Sequence, residues 1–246
     1  KRSMKTLILI PSRLSATRLP GKPLLKINGL SIISHVLKRA QKADIGEVFV
    51  ATEDQEIVDD VKSNGGEAIL TRSNHKTGTD RIYEALKKLG KKDAELVMNL
   101  QGDEPLMNIE DIKNLNKKMI NYGCDIGTLA SEIKEKKKLD NENIVKVNTE
   151  EALDESNFPS ALKFSRKPDV KKHIYHHLGI YCYSLEALKK FVSLKQSHNE
   201  VKNRLEQLRA LDNNMNINVC LAKSSPIGVD TKEDFIAIKK IMEYKS

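Results

Sequence analysis

Continuous apolar runs at Thr6–Ile10, Val48–Ala51, Glu67–Leu70 and Leu96–Leu100 punctuate the first part of the chain. They do not alternate with polar residues, which is the pattern of parallel strands buried on both faces. Helical spacing fills the intervals. Ile32, Ile33, Val36, Leu37 and Ala40 form one stripe. Ile57, Val58 and Val61 form another within Asp54–Lys62, which Gly65-Gly66 stops. A third helix begins near Asp80 and carries Ile82, Ala85, Leu86 and Leu89. Strand and helix in alternation predict an α/β fold, a mostly parallel central sheet flanked by helices. The second half is less regular. Strands are expected at Ile126–Ile133, Ile144–Val147, Leu178–Tyr183 and Ile217–Leu221, with the charged stretch Lys134–Asn143 between the first two. Helices are expected at Leu185–Val192, Val201–Asp212 and Thr231–Tyr244. With no internal repeat or low-complexity linker, the expectation is one domain over residues 1–246 with an inserted or appended smaller lobe at roughly 125–185.

The 246 residues, 39% of them hydrophobic, can supply a substantial core. No apolar run approaches the ~18 residues that would span a bilayer, so no membrane insertion is expected. Met4 is the expected natural start, and no signal-peptide core follows it. Cys124, Cys182 and Cys220 are widely spaced, without a C-x-x-C pair, which points to a reducing cytoplasm rather than disulfides or zinc. The net charge of +8 would suit a nucleic-acid binder. Aromatic residues are only 4%, however, Trp is absent, and lysines such as Lys87-Lys88 lie on predicted helix faces. A solvated surface is the better reading, and no nucleic-acid partner is expected. The basic field would also gather small anions.

The chemistry concentrates after predicted strands, at the carboxyl edge where open α/β sheets bind ligands. Pro11–Pro23 holds Arg13, Arg18 and Lys22 with hydroxyls and Gly21. Arginine forks and a lysine point charge suit phosphate oxygens. It is neither a Walker A loop nor a dinucleotide fingerprint. Leu100–Pro105 brings Asp103 and Glu104 to the same edge behind Gly102, and a carboxylate beside a polyphosphate loop is how Mg²⁺ is held. Asp230 precedes the closing helix, where it serves either as an N-cap or as a metal ligand. Thr71–Arg81 is a polar loop leading into a helix N-terminus, and its His75 is expected to be a surface histidine.

Taken in order, these segments resemble the 3-deoxy-manno-octulosonate cytidylyltransferase family. The matches are Pro11–Arg13, Thr17–Pro23, Val50–Thr52, Thr71-Arg72 with His75, Thr77–Thr79 and Arg81, and Asn99–Pro105. Later come Phe164–Arg166, His177–Tyr181, Leu205–Arg209 and Gly228–Thr231, so the resemblance covers nearly the whole chain. It implies a nucleotide-diphospho-sugar transferase-like fold and transfer of CMP from CTP to the anomeric hydroxyl of 3-deoxy-D-manno-octulosonate (Kdo), with pyrophosphate released, for lipopolysaccharide biosynthesis. Arg13, Lys22, Asp103 and Asp230 would carry the catalysis, the two aspartates holding Mg²⁺. Pro11, Ser12, Arg13, Arg18, Lys22, Arg72, Thr77, Gly78 and Gln101 would bind the nucleotide. Arg166, His177, Tyr181, Glu206 and Gln207 would line the sugar-acid pocket. The resemblance further implies a cytoplasmic homodimer, formed partly by the smaller lobe around Ile144–Val147. The chain departs from the family pattern at Ala16, usually serine, which leaves Ser15 or Thr17 as the phosphate-contacting hydroxyl. Asn203 stands where an acid is usual, and Lys167–Tyr175 is shorter. Two alternatives remain at this stage: another CTP-using transferase with a different sugar acid, and a non-catalytic nucleotide or nucleic-acid binder.

Overall fold

The computed structural model describes residues 4–15, 18–91 and 93–244. The chain divides into two compact units. The first comprises Lys5–Ala94, Asn99–Ile109 and the residues from Pro226 onward; the second comprises Glu95–Met98 and Glu110–Ser225.

In the first unit the order is β1 (Thr6–Ser12), a hairpin of β2 (Lys26–Ile27) and β3 (Leu30–Ser31), α1 (Ile32–Ala43), β4 (Gly46–Thr52), α2 (Gln55–Ser63), β5 (Glu67–Leu70) and α3 (Gly78–Leu89). β1, β4 and β5 lie side by side and all parallel, with Ile8 opposite Val48 and Val50 opposite Ala68. Ile8, Leu9, Ile10, Val50 and Ala51 are fully buried, the two-faced burial that their unbroken apolar runs predict. α1 opens on Ser31, whose hydroxyl accepts from the Ser34 N–H, and buries the whole predicted stripe. The hairpin was not anticipated; its strands are two residues long, too short to show a period.

The second unit explains the irregular half of the pattern. Its elements are β6 (Leu96–Asn99, whose last residue belongs to the first unit), α4 (Ile109–Tyr122), β7 (Ile126–Ser131), α5 (Lys136–Asp140), β8 (Lys146–Thr149), β9 (Ala161–Ser165), β10 (Ile174–Ser184), α6 (Leu185–Ser193), α7 (His198–Asn203), α8 (Leu208–Asp212) and β11 (Ile217–Leu221). β7 pairs parallel with β11 and antiparallel with β10; β8 pairs antiparallel with both β10 and β9. The helix expected over Val201–Asp212 is two helices. Arg204 takes a left-handed conformation (φ 55°) and ends the first of them. The chain closes with α9 (Lys232–Tyr244), back in the first unit. Among the described residues no helix is long and apolar enough to cross a membrane.

Candidate active site

The loop after β1 is tied down by its backbone. The Leu14 N–H donates to Asp54 just after β4 (2.8 Å), and the Gly21 N–H returns to the Leu14 carbonyl (3.0 Å). Gly21 has φ 74°, open to a residue without Cβ, and Lys22 then begins a single 3₁₀ turn. Leu100 donates to Leu9 across the strand ends, which sets Gln101–Asp103 beside Pro11. A Cβ on Gly102 would stand 2.8 Å from the Pro11 carbonyl oxygen, so only glycine permits this approach.

These segments enclose a groove of about 770 Å³ in the first unit. It is lined by the expected Pro11, Ser12, Arg13, Arg18, Lys22, Thr77, Gly78, Gln101, Asp103 and Asp230, and additionally by Ser15, His75 and Arg81. Of the two hydroxyls proposed to replace the family serine, Ser15 lines the groove and Thr17 lies outside the described residues. Arg72 does not line it. Its backbone N–H and Nε both turn to Glu84 of α3 (3.2 and 3.1 Å). His75 is not the surface residue expected: its side chain is 9% exposed, with Nε2 2.8 Å from Glu84.

Cations and carboxylates are matched across the groove. Lys22 Nζ is 3.3 Å from Asp103 Oδ2, and Arg18 Nη1 is 2.9 Å from Asp230 Oδ2. The second pair is exposed and contributes little to stability. Asp230 does not cap α9. Thr231 does so, accepting from the Asp234 N–H (3.1 Å) while Asp234 accepts from the Thr231 N–H (3.0 Å). The Asp230 carboxylate is therefore available to the groove.

Desolvation raises the pKa of Asp103, whose side chain is 34% exposed, despite Lys22, and the Asp230 charge adds to the rise. Beside it, burial and the Asp103 charge push Glu104 up to about 8. Asp103 and Asp230, with the Asp230 charge acting on Asp103, make a place that favours a cation. Their hard oxygens suit Mg²⁺, which takes one or two carboxylates and completes its shell with phosphates and water. Among the described residues no cluster of three or more His, Cys, Asp or Glu forms an all-protein cage.

Glu104 gives a pH dependence with a definite sign. Unfolded, it releases its proton near the ordinary 4.5; folded, near 8. Folding then takes up a proton between these values, so stability contributed by neutral Glu104 falls as pH rises from 4.5 to 8. In metal-free protein, Glu104→Gln is expected to flatten that decline in urea midpoints measured at pH 5 and pH 8. Parallel declines in both proteins would refute the assignment.

The expected sugar-acid residues all belong to the second unit. His177 and Tyr181 are buried with ring centroids 5.5 Å apart, and Phe164 meets His177 edge-on at 4.9 Å. Thr128 Oγ1 is 2.7 Å from the Ile180 carbonyl and 2.9 Å from His177 Nε2. With its one proton on the carbonyl, the hydroxyl accepts from a protonated Nε2. Burial, reinforced by His176, lowers His177 to about 3, and burial raises the Tyr181 phenol, with Tyr183 and Glu206 adding to it. Gln207 is buried and Glu206 partly so, in the turn between α7 and α8. Arg166 is not brought to this group. It lines a separate groove of about 940 Å³ with Lys163, Lys202 and Arg204, where buried Lys146 holds its carbonyl (2.7 Å).

Residues 7–217 match the family model described as cytidylyltransferase. A 3-deoxy-manno-octulosonate cytidylyltransferase of Nitrobacter hamburgensis is 43% identical over 97% of this chain and 93% of its own length. One from Rhodopseudomonas palustris is 45% identical over 97% of this chain and 98% of its own. The chain belongs to the 3-deoxy-manno-octulosonate cytidylyltransferase family. A solved CMP:2-keto-3-deoxy-manno-octonic acid synthetase complexed with CTP superposes with a TM-score of 0.88 at 34% identity, covering 98% of this cytidylyltransferase and 100% of that chain.

Proposed function

We propose that the protein transfers CMP from CTP to the anomeric hydroxyl of Kdo, releasing pyrophosphate. The observation that carries this is the convergence of Arg13, Arg18 and Lys22 with Asp103 and Asp230 on one groove, in a chain of this family. In the transfer, the three cations hold the triphosphate and spread the charge that builds on the departing pyrophosphate. The Ser12 and Ser15 hydroxyls add donors, while the backbone near Pro11–Arg13 with Thr77, Gly78 and Gln101 flanks the base. Lys22 and Arg18 exchange their present carboxylate partners for phosphate oxygens, which frees Asp103 and Asp230. Those two carboxylates would hold Mg²⁺, whose charge lowers the pKa of a coordinated hydroxyl and stabilises phosphate charge. The step asks for alignment and electrostatic stabilisation rather than a covalent protein intermediate.

His177, Tyr181, Glu206 and Gln207 are proposed for the sugar acid; Arg166, which lines another groove, is not carried into this site. With His177 kept neutral and Tyr181 kept protonated, both act there as hydrogen-bonding groups rather than as acid and base. We further place the protein in the cytoplasm, supplying the activated sugar for lipopolysaccharide synthesis, and as a homodimer built through the second unit. Among the described residues β9 pairs as a strand only with β8, and it carries Leu162, 63% exposed, on its other edge. Sedimentation of a monomer at micromolar concentration would remove the dimer from the proposal.

Pyrophosphate release is expected with CTP, Mg²⁺ and Kdo together, and to be much weaker with other 2-keto sugar acids. A panel showing turnover with a nine-carbon acid and none with Kdo would reassign the substrate. Salt-sensitive RNA binding without CTP turnover would favour the non-catalytic reading.

A further inference from the structure

Glu84, on α3, is a carboxylate that no step of the transfer uses, yet four donors converge on it. Its side chain is 10% exposed. It accepts from the Arg72 backbone N–H at 3.2 Å, Arg72 Nε at 3.1 Å, His75 Nε2 at 2.8 Å and Lys88 Nζ at 3.2 Å. Burial alone would raise its pKa; the hydrogen bonds from His75 and Arg72 outweigh that and hold it at about 2. Glu84 is thus ionised at any working pH and can only accept, so the His75 nitrogen facing it carries a hydrogen.

Arg81, one turn earlier on the same helix, takes the other side of the same residue. Its Nη1 donates to the Arg72 carbonyl (3.0 Å) and to Thr71 Oγ1 (2.6 Å). Residue 72 is therefore gripped by both its N–H and its C=O. The segment ends at Thr77, which caps α3 by accepting from the Asp80 N–H (3.2 Å). The stretch 71–77 is anchored to α3 at its start, at His75 and at its end. A cluster serving stability alone could sit anywhere on the helix. This one holds His75, Thr77 and Arg81, all of which line the groove.

We propose that Glu84 is a positioning residue for the nucleotide base: through His75 and the Arg72 peptide it sets the wall of residues 75–78 against which the cytosine of CTP seats. The proposal rests on the reading of the groove as a CTP site. Groups that orient groove-lining residues commonly matter about 10–100-fold when removed. Glu84→Gln keeps the shape of the side chain but presents an amide N–H₂ to donors.

The test is steady-state kinetics with CTP and UTP varied at saturating sugar acid, then with the sugar acid varied. Glu84→Gln is expected to raise the KM for CTP about tenfold or more and to narrow the preference for CTP over UTP. Its kcat is expected to change by less than about threefold, with the sugar-acid KM unchanged. Glu84→Asp, which keeps the charge, should recover part of the loss. His75→Gln should move the same constants in the same direction, and it answers the question should Glu84→Gln not fold. Unchanged CTP constants in either folded variant overturn the proposal, as does a parallel rise in both substrates' KM, which marks a purely structural role. Wild-type protein that releases no pyrophosphate from CTP with any sugar acid overturns the parent reading, and this proposal with it.

Discussion

Asp103→Asn is expected to lower pyrophosphate release about a hundredfold to a thousandfold, the cost of deleting one preorganised electrostatic group from a transfer site. Desolvation raises the Asp103 pKa in spite of the attraction of Lys22, 3.3 Å away. A carboxyl whose folded pKa exceeds its unfolded value costs stability once pH passes the unfolded value, because the folded state resists losing the proton. An isosteric amide carries no such cost. The variant should therefore unfold at the same temperature as wild type at pH 7, or a higher one, while turning over far more slowly. That combination is the signature of a group retained for function against stability. Affinity for Mn²⁺ in the presence of CTP, read by electron paramagnetic resonance, should fall in parallel. Turnover within about threefold of wild type would remove Asp103 from the metal site and leave Lys22 as its only business.

The legible part of this protein was the part governed by local pattern. β5 and β11 occupy Glu67–Leu70 and Ile217–Leu221, as their apolar runs predict. The loop cations and Asp103 reach one groove because each follows the carboxyl end of a strand, β1 for the cations and β6 for Asp103, a consequence of topology rather than of side-chain detail. α4 was missed although Ile112, Leu115 and Met119 are buried at helical spacing, because polar residues separate them and no strong start signal precedes them. The break at Arg204 could not be foreseen, since a left-handed arginine is set by what surrounds it. Partnership was equally hidden. Thr231, not Asp230, caps α9, and nothing in the spacing ranks two adjacent oxygen-bearing residues for that role. His75 looked like a surface residue because its partner, Glu84, is nine positions away on a helix face visible only after folding. Arg166 lies one residue past β9, beyond the reach of strand alternation, and it lines an outer groove with Phe164, whose ring also packs on His177.

Arg209→Met is expected to destabilise the protein by about 3–5 kcal/mol, the usual cost of removing one partner from a buried ion pair. Arg209 and Glu200 have side chains only 2% and 3% exposed. They meet through two parallel bonds, Nε to Oε1 at 2.9 Å and Nη2 to Oε2 at 2.7 Å. The guanidinium also lies 4.5 Å from the centre of the Phe191 ring. Methionine fills similar volume but leaves the Glu200 charge without its counter-ion in a dry site. Glu200 has a second task, since it accepts from the Ser197 N–H in the capping box of α7. Glutamine preserves that box. The double variant Arg209→Met with Glu200→Gln should therefore regain most of the lost stability, because neither buried charge remains to be solvated. The pair spans the turn that carries Glu206 and Gln207, with Arg209 donating its backbone N–H to the Glu206 carbonyl. The double variant should consequently fold well yet use the sugar acid poorly, the two charges having fixed the turn rather than merely stabilised the unit. Urea midpoints of the wild type, both single variants and the double variant close the cycle. A single Arg209→Met within about 1 kcal/mol of wild type, or a double variant no more stable than it, would show that the pair is not the clasp of this turn.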